Sequence, residues 1–426
     1  MIKITRLADT PREELFVRDV RTSDVSGVVA EIIENVRSRG DAALLEYCRR
    51  FDGCAPDPLE AGAGELDAAV KAVEPEFLAV LGRAAENIRA FHEAQVRRGF
   101  ALTRPDGSIV GQKVTPIERV GLYVPGGTAA YPSTVLMNAI PAKIAGCAEI
   151  VMVTPAKNGV VSPAILAAAK LAGVQRVFKA GGAQAIAALA CGTESVPKVD
   201  KIVGPGNAFV AEAKKQVFGM VSIDMIAGPS EILIVADGKT DPAFAAADLL
   251  SQAEHDKMAS AVLITDSGEL ARAVAEEVER RLERLPRRDI AAASVESNGK
   301  IIVADSLDQA MDLANELAPE HLEICVDRPF DWLGRVKNAG SVFLGRSCPE
   351  ALGDYLAGPN HTLPTGGTAR FSNPLSVDDF VKKTQFTYYS DAAFAAAAPD
   401  VALFARREGL EAHAQSAMIR LEGGEQ

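Results

Sequence analysis

The sequence predicts an α/β fold: two Rossmann-like, doubly wound parallel-sheet units, a helical N-terminal segment and a small helical C-terminal domain. Three observations predict it. From about Val120, short β-branched runs alternate with alanine-rich helical runs. Strand, Gly/Pro turn and helix recur about every 25 to 30 residues, the spacing of βαβ units. A second series of strand-like runs then follows the first.

The elements follow in order. An N-terminal arm spans 1–20. Arg12 to Tyr47 and Ala61 to Arg98 carry apolar residues at helical spacing between charged faces. A loop rich in Gly, Pro and Asp, Asp52 to Pro58, separates them. Next come VGLYV, a helix from Ser133 to Ala145, EIVMVTP, a helix from Pro163 to Ala172, RVFKAGG, a helix from Gln184 to Ala190, DKIVGPG, a helix from Asn207 to Phe218, and VSIDM. The second series is EILIVAD, AVLITD, KIIVAD, HLEICV and SVFLG, with helices such as Glu269 to Leu285 and Leu307 to Leu317 between them. After about Pro374 the pattern turns helical again. The expected domains are 21–122 with 232–375, an inserted 123–231, and a tail of 376–426.

Composition narrows the function. Of 426 residues, 48% are hydrophobic, and 57 acids against 45 bases leave a net charge of −12. That balance argues against a nucleic-acid or anionic-membrane surface, since both want a basic patch. The start resembles no signal peptide, and no run approaches the roughly 18 apolar residues of a membrane span. Six scattered cysteines without a CxxC pair predict reduced thiols, a cytoplasmic home and no cysteine-based zinc site.

Open parallel sheets bind ligands beyond the carboxyl ends of their strands. The glycine-rich turns PGG (Pro125 to Gly127), AGGAQ (Ala180 to Gln184) and GPGN (Gly204 to Asn207) therefore point to one cleft, where bare backbone can approach a phosphate. Phe209 stands where a dinucleotide fingerprint has its third glycine. Asp224 lies twenty residues beyond Gly204, the place of a ribose-binding acid. The same glycines also fit ordinary strand-to-helix turns.

Five histidines remain to be placed. His92 sits on a polar helical stretch and reads as a helix-surface residue. Gln252 and His255 are three apart on a helix beginning near Pro242, so they share a face, as a ligand pair or as a polar helix end. Glu320 and His321 follow Pro319 and open the strand HLEICV, where a Glu–His pair can do acid–base work or stand as a solvated pair. Asp354 and His361 lie in a constrained Gly/Pro-rich loop, and Glu408 precedes His413 in the tail. Two or three histidines, an aspartate and a glutamine suit zinc, manganese or cobalt. The residues alone therefore reach a metal-assisted α/β enzyme, with or without a nucleotide.

The runs VGLYVPGGTAAYPSTVLMNAIPAKIAG, GGAQAIAALACGT, VDKIVGPGNAFVAEAK, IAGPSEILIVAD, LLSQAEHD, LAPEHLEI, LGDYLAGPNHTLPTGGTARF and EGLEAH together resemble the histidinol dehydrogenase family. The resemblance implies oxidation of L-histidinol through L-histidinaldehyde to L-histidine with two NAD+, the last steps of histidine biosynthesis. It implies one Zn2+ per site on Gln252, His255, Asp354 and His413, and NAD+ contacts at Tyr123, Gln184 and Asn207. Substrate contacts are implied at Ser230, Gln252, His255, His321, Asp354, His361, Glu408 and His413, with Glu350 lining the pocket. Glu320 and His321 are the implied catalytic pair. A homodimer is implied in which the tail dimerises and Glu408 and His413 act in the other subunit's site. Cys348 and Ile226 depart from the family pattern, the first raising thiol sensitivity near Asp354. Two other readings use the same residues: a relative oxidising another alcohol, and a metal-dependent hydrolase activating water with Glu320 and His321, which the absence of HExxH weakens.

Overall fold

Runs rich in Val and Ile, too short for helices and bounded by glycine or proline, become the strands of this fold. The computed structural model describes residues 2–16, 24–126 and 130–422. Residues 1 and 17–20 of the expected arm, 21–23 beyond it, Gly127 of the PGG turn and 423–426 lie outside the described residues. In chain order the strands are β1 (Lys3–Arg6), β2 (Phe100–Thr103), β3 (Ile109–Pro116), β4 (Arg119–Tyr123), β5 (Glu149–Val153), β6 (Arg176–Phe178), β7 (Lys201–Val203), β8 (Ser222–Ile223), β9 (Glu231–Ala236), β10 (Ser260–Thr265), β11 (Lys300–Val303), β12 (His321–Cys325), β13 (Ser341–Leu344) and β14 (Val381–Tyr388).

The chain forms two compact units, Met1–Val96 with Ile117–Phe380, and Arg97–Pro116 with Val381–Gln426. The larger holds two parallel sheets. One has five strands in the order β6-β5-β4-β7-β8; the other has six, β1-β11-β10-β9-β12-β13. Each runs outward one way, then returns to the middle and runs the other way. The reversal falls between β4 and β7 in the first sheet and between β9 and β12 in the second. Such switch points open crevices for ligands.

Period-two alternation explains why both sheets are covered on both faces. Leu122, Ile150, Met152 and Val177 enter one core, while Tyr123, Val151, Val153 and Phe178 enter another on the opposite face. In the six-stranded sheet Ile232 and Ile234 pack one way, and Leu233 and Val235 the other. Asp241 caps the helix Pro242–Ala253 by accepting from the Ala243 N–H, and Pro242 stands at its first turn. That helix carries Gln252 in its last turn.

The smaller unit corrects the expectation of an all-helical tail. β14 pairs antiparallel with β3, and β3 with β2. An Asp-Gly turn joins β2 to β3, with Ser108 donating to Asp106 and Arg104 to Ser108. The sequence concealed this sheet because most of its residues are exposed, so the buried alternation that marks a strand is missing. The helices Asp391–Arg407 and Glu411–Glu422 follow and close on one another through Ala402, Ala405 and Ala414. β1 likewise adds an edge strand to a stretch read as helical, anchored by buried Ile2.

Candidate active site

The candidate site residues Ser230, Glu320 and His321 stand at the amino edge of the six-stranded sheet, not at a carboxyl edge. Ser230 directly precedes β9, Glu320 directly precedes β12, and His321 is the first residue of β12. The glycine-rich turns occupy the carboxyl edge of the five-stranded sheet, as expected. The two edges meet. Thr134, just after the turn that follows β4, lies 3.4 Å from His361 Nε2. Tyr131, Pro132 and Ser133 share a 330 Å³ cavity with Glu254, His255 and Tyr355.

Burial defines the chemistry of this edge. His321 is 4% exposed, and its Nδ1 donates to the Glu231 carbonyl at 2.9 Å. That bond leaves the Nε2 lone pair as the proton acceptor. Burial opposes the imidazolium and lowers the pKa of His321 despite the nearby Asp354 charge. Glu320 is also buried, and its carboxyl accepts from the Glu231 N–H at 2.8 Å. Desolvation pushes its pKa well above the usual carboxylate range. Glu320 and His321 stand 3.6 Å apart.

Around this pair lies a cluster of donors. One ligand atom each of His321, Glu350 and Asp354 lies within 4.8 Å of the others. Glu350 opens the short helix Glu350–Tyr355, which also carries Asp354, so Asp354 stands on a helix where a loop was expected. Burial and the neighbouring Asp354 charge push Glu350 up to about 8, while Ser251 donates to its carboxylate at 3.0 Å. Burial alone would raise Asp354, but the hydrogen bond from His361 and the charges of His361 and His321 outweigh it and keep Asp354 ionised well below its usual range. His361 Nδ1 lies 3.5 Å from Asp354. Gln252 is 1% exposed, and its Oε1 is buried with no hydrogen-bond partner among the described residues. His255 lies two residues past the helix that ends at Ala253, half-buried on the cavity wall.

Ser230, Gln252, His255, Glu320, His321, Asp354 and His361 therefore belong to the larger unit. Glu408 and His413 belong to the smaller one. Glu408 ends the helix Asp391–Arg407, and His413 is exposed in a shallow cavity with Phe394, Val401 and Arg420.

The turn side is built from backbone. Tyr123 is buried, its hydroxyl accepts from the Gly182 N–H at 3.1 Å, and burial pushes its pKa up to about 12. Gln184 Nε2 is buried with no hydrogen-bond partner among the described residues. Asn207 caps the helix Ala208–Val217, its oxygen accepting from the Phe209 and Val210 N–H groups. Gly204 has φ +117°, and a Cβ there would sit 2.1 Å from the Tyr123 carbonyl oxygen. Only glycine fits that approach.

Two expectations are corrected here. Asp224 is no ribose ligand: its carboxylate accepts from the Gly204 N–H at 2.7 Å and pairs with buried Lys214, which itself donates to the Gly204 carbonyl. The pair clamps the GPGN turn from both sides. His92 is fully buried rather than on a helix surface. Its Nδ1 bonds Gln95 at 2.7 Å, and Asn360, beside His361, lies 3.4 Å from its Nε2. The segment that folds over the helix covers His92, and the helix sequence alone carries no sign of that. Glu231, Glu323 and Asp248 went unnoticed. An acid inside the apolar run HLEICV was the available signal.

Fold and site define an α/β enzyme in which glycine-rich turns follow strands of one parallel sheet and a buried Glu–His pair opens a strand of another. The histidinol dehydrogenase family model matches residues 17–421. A histidinol dehydrogenase of Geobacter sulfurreducens is 56% identical over 402 residues, 94% of each chain, and one of Geobacillus kaustophilus is 56% identical over 405 residues, 95% of this chain and 96% of its own. The crystal structure of histidinol dehydrogenase from Elizabethkingia anophelis superposes with a TM-score of 0.94 at 37% identity, covering 99% of this chain and 98% of the other. The chain belongs to the histidinol dehydrogenase family and is an NAD-dependent oxidoreductase.

Proposed function

We propose that the chain oxidises L-histidinol through L-histidinaldehyde to L-histidine, reducing two NAD+ at one site. The observation that carries this reading is the buried Glu320–His321 pair beside the Asp354 carboxylate. The donor set fits a zinc ion: Gln252 presents a buried oxygen with no hydrogen-bond partner among the described residues, Asp354 stays ionised, and imidazole and carboxylate suit zinc. Gln252, His255 and Asp354 would hold it, with His413 from a second copy. Zinc would supply a fixed positive template for the substrate's imidazole and amine, and NAD+ the hydride acceptor.

The protein's own groups do the rest. Tyr123, Gln184 and Asn207 hold the cofactor at the glycine turns. Ser230, His361 and Glu408 join the ligand residues and His321 in seating the substrate. His321, with Nδ1 committed to the Glu231 carbonyl, takes the alcohol proton at Nε2 as hydride leaves carbon. The aldehyde must then gain water before a second hydride can depart. Glu320, which stands beside His321, takes a proton from that water, and His321 then deprotonates the hydrate. The closed site keeps the aldehyde from side reactions.

The partner is a second copy of this chain. The smaller unit exposes Phe386, Tyr388, Leu403, Phe404 and Ile419, an apolar set that a homodimer would cover. Six free cysteines favour a reducing cytoplasm. Among the described residues no helix is long and apolar enough to cross a membrane. A panel of alcohols tests the substrate. NADH formation should be fastest with L-histidinol; faster turnover of another amino alcohol or diol would assign the chain to a relative with a different substrate.

A further inference from the structure

Glu323 is out of place in β12. The strand is covered on both faces, its neighbours Leu322 and Ile324 enter an apolar core, and Glu323 itself has no exposed surface. An acid there is costly unless protonated or well bonded. Its partners are specific. Its Oε1 accepts the Glu350 N–H at 2.8 Å, at the first residue of the helix Glu350–Tyr355. Its carboxyl shares a hydrogen bond with Asp248 on the helix Pro242–Ala253. Cys325 Sγ lies 3.8 Å from its other oxygen.

These contacts join the elements that carry the site. His321 stands two residues before Glu323, on the same face of β12. Gln252 stands one helical turn after Asp248. Glu350 and Asp354 share the short helix whose first amide Glu323 holds. We propose that the hydrogen-bonded Asp248–Glu323 pair is a positioning device. It registers the helix Glu350–Tyr355 against the helix end at Gln252 and the strand start at His321. Neither acid touches the reactants. Apolar residues of similar volume often replace even buried ion pairs without loss of stability, and two buried acids lack the attraction of such a pair, so stability alone gives no reason for them here. The activity arm of the test rests on the histidinol-oxidising reading of this site; the amide-exchange arm does not.

The test compares Asp248→Leu/Glu323→Leu with Glu323→Gln in the full-length protein. Glutamine keeps an acceptor for the Glu350 N–H and a donor for Asp248. The leucine pair should keep the wild-type Tm yet lose about 100-fold in kcat/KM for L-histidinol, the scale of a misplaced catalytic group. Glu323→Gln should stay within about threefold of wild type, as one neutral hydrogen bond replaces another. Amide exchange across residues 349–356 should rise in the leucine pair and not in Glu323→Gln. If the leucine pair does not fold, Glu323→Met takes its place against Glu323→Gln. Unchanged exchange, or a glutamine variant as impaired as the leucine pair, overturns the positioning role. Wild-type protein inert toward L-histidinol, with the exchange pattern intact, overturns the substrate instead.

Discussion

The two sheet edges that meet at the site are built by opposite means. On the carboxyl edge of β4 and β7 the working surface is backbone, and Gly204 leaves room that any Cβ would fill. On the amino edge of β9 and β12 the surface is side chains: buried Glu320, His321 and Glu350, and half-buried Asp354. The difference suits a division of labour. In the proposed function, glycine turns and amides would meet the cofactor, and proton transfer would fall to groups whose pKa values burial has moved. Glu320 and Glu350 are pushed up, and Asp354 is held down, within one cluster.

Substitutions on the two edges should separate accordingly. The largest effect is expected for His321→Asn, which removes the base from both oxidations; steady-state kcat should fall about 10³-fold with little change in the KM for NAD+. Glu320→Gln should cost about 10²-fold when L-histidinaldehyde is the substrate and far less in the first hydride step from L-histidinol, measured by single-turnover absorbance. Equal losses would place Glu320 in both halves. Gly204→Ala attacks the other edge. Its Cβ meets the Tyr123 carbonyl in a left-handed backbone, so stability should drop by about 1–3 kcal/mol and the KM for NAD+ should rise more than kcat falls.

The pH profile sharpens the contrast. In its proposed role as base, His321 would act only as neutral imidazole, and burial lowers its pKa from 6.5. The acid limb of kcat/KM should therefore lie below pH 6.5, with activity lost as pH falls, and Gly204→Ala should leave that limb in place. The smallest effect is expected at Cys348. It is half-buried and outside the donor cluster, so Cys348→Ser should change kcat by less than about twofold while removing the part of any thiol-reagent sensitivity that arises beside Asp354.

Sequence and structure agree most where periodicity is strong. The parallel strands from VGLYV to SVFLG fall where the alternating runs place them, because both faces are buried and the residues say so. The antiparallel sheet of the smaller unit stayed hidden, since exposed strands such as VKKTQFTY carry no inside-outside signal. The site residues were readable as motifs, but their surroundings were not. Asp224 matches the spacing of a ribose-binding acid, yet Lys214 and the Gly204 amide occupy it. His92 looked like a surface residue until Asn360 covered it. Sequence spacing places residues along an element; which segment packs over them is a tertiary fact.

His413 sits in the smaller unit, and its proposed service in a partner's site is open to complementation. Mixing His413→Ala with His255→Ala subunits should create one intact site per heterodimer and restore activity that neither parent shows. Verified heterodimers without recovery would remove His413 from a shared site.

The most direct measurement is NADH formed per L-histidinol consumed, with and without a zinc chelator. The account predicts about two, lost on chelation and regained with zinc. One NADH per substrate would mean that oxidation stops at the aldehyde. That result would contradict the role given to Glu320.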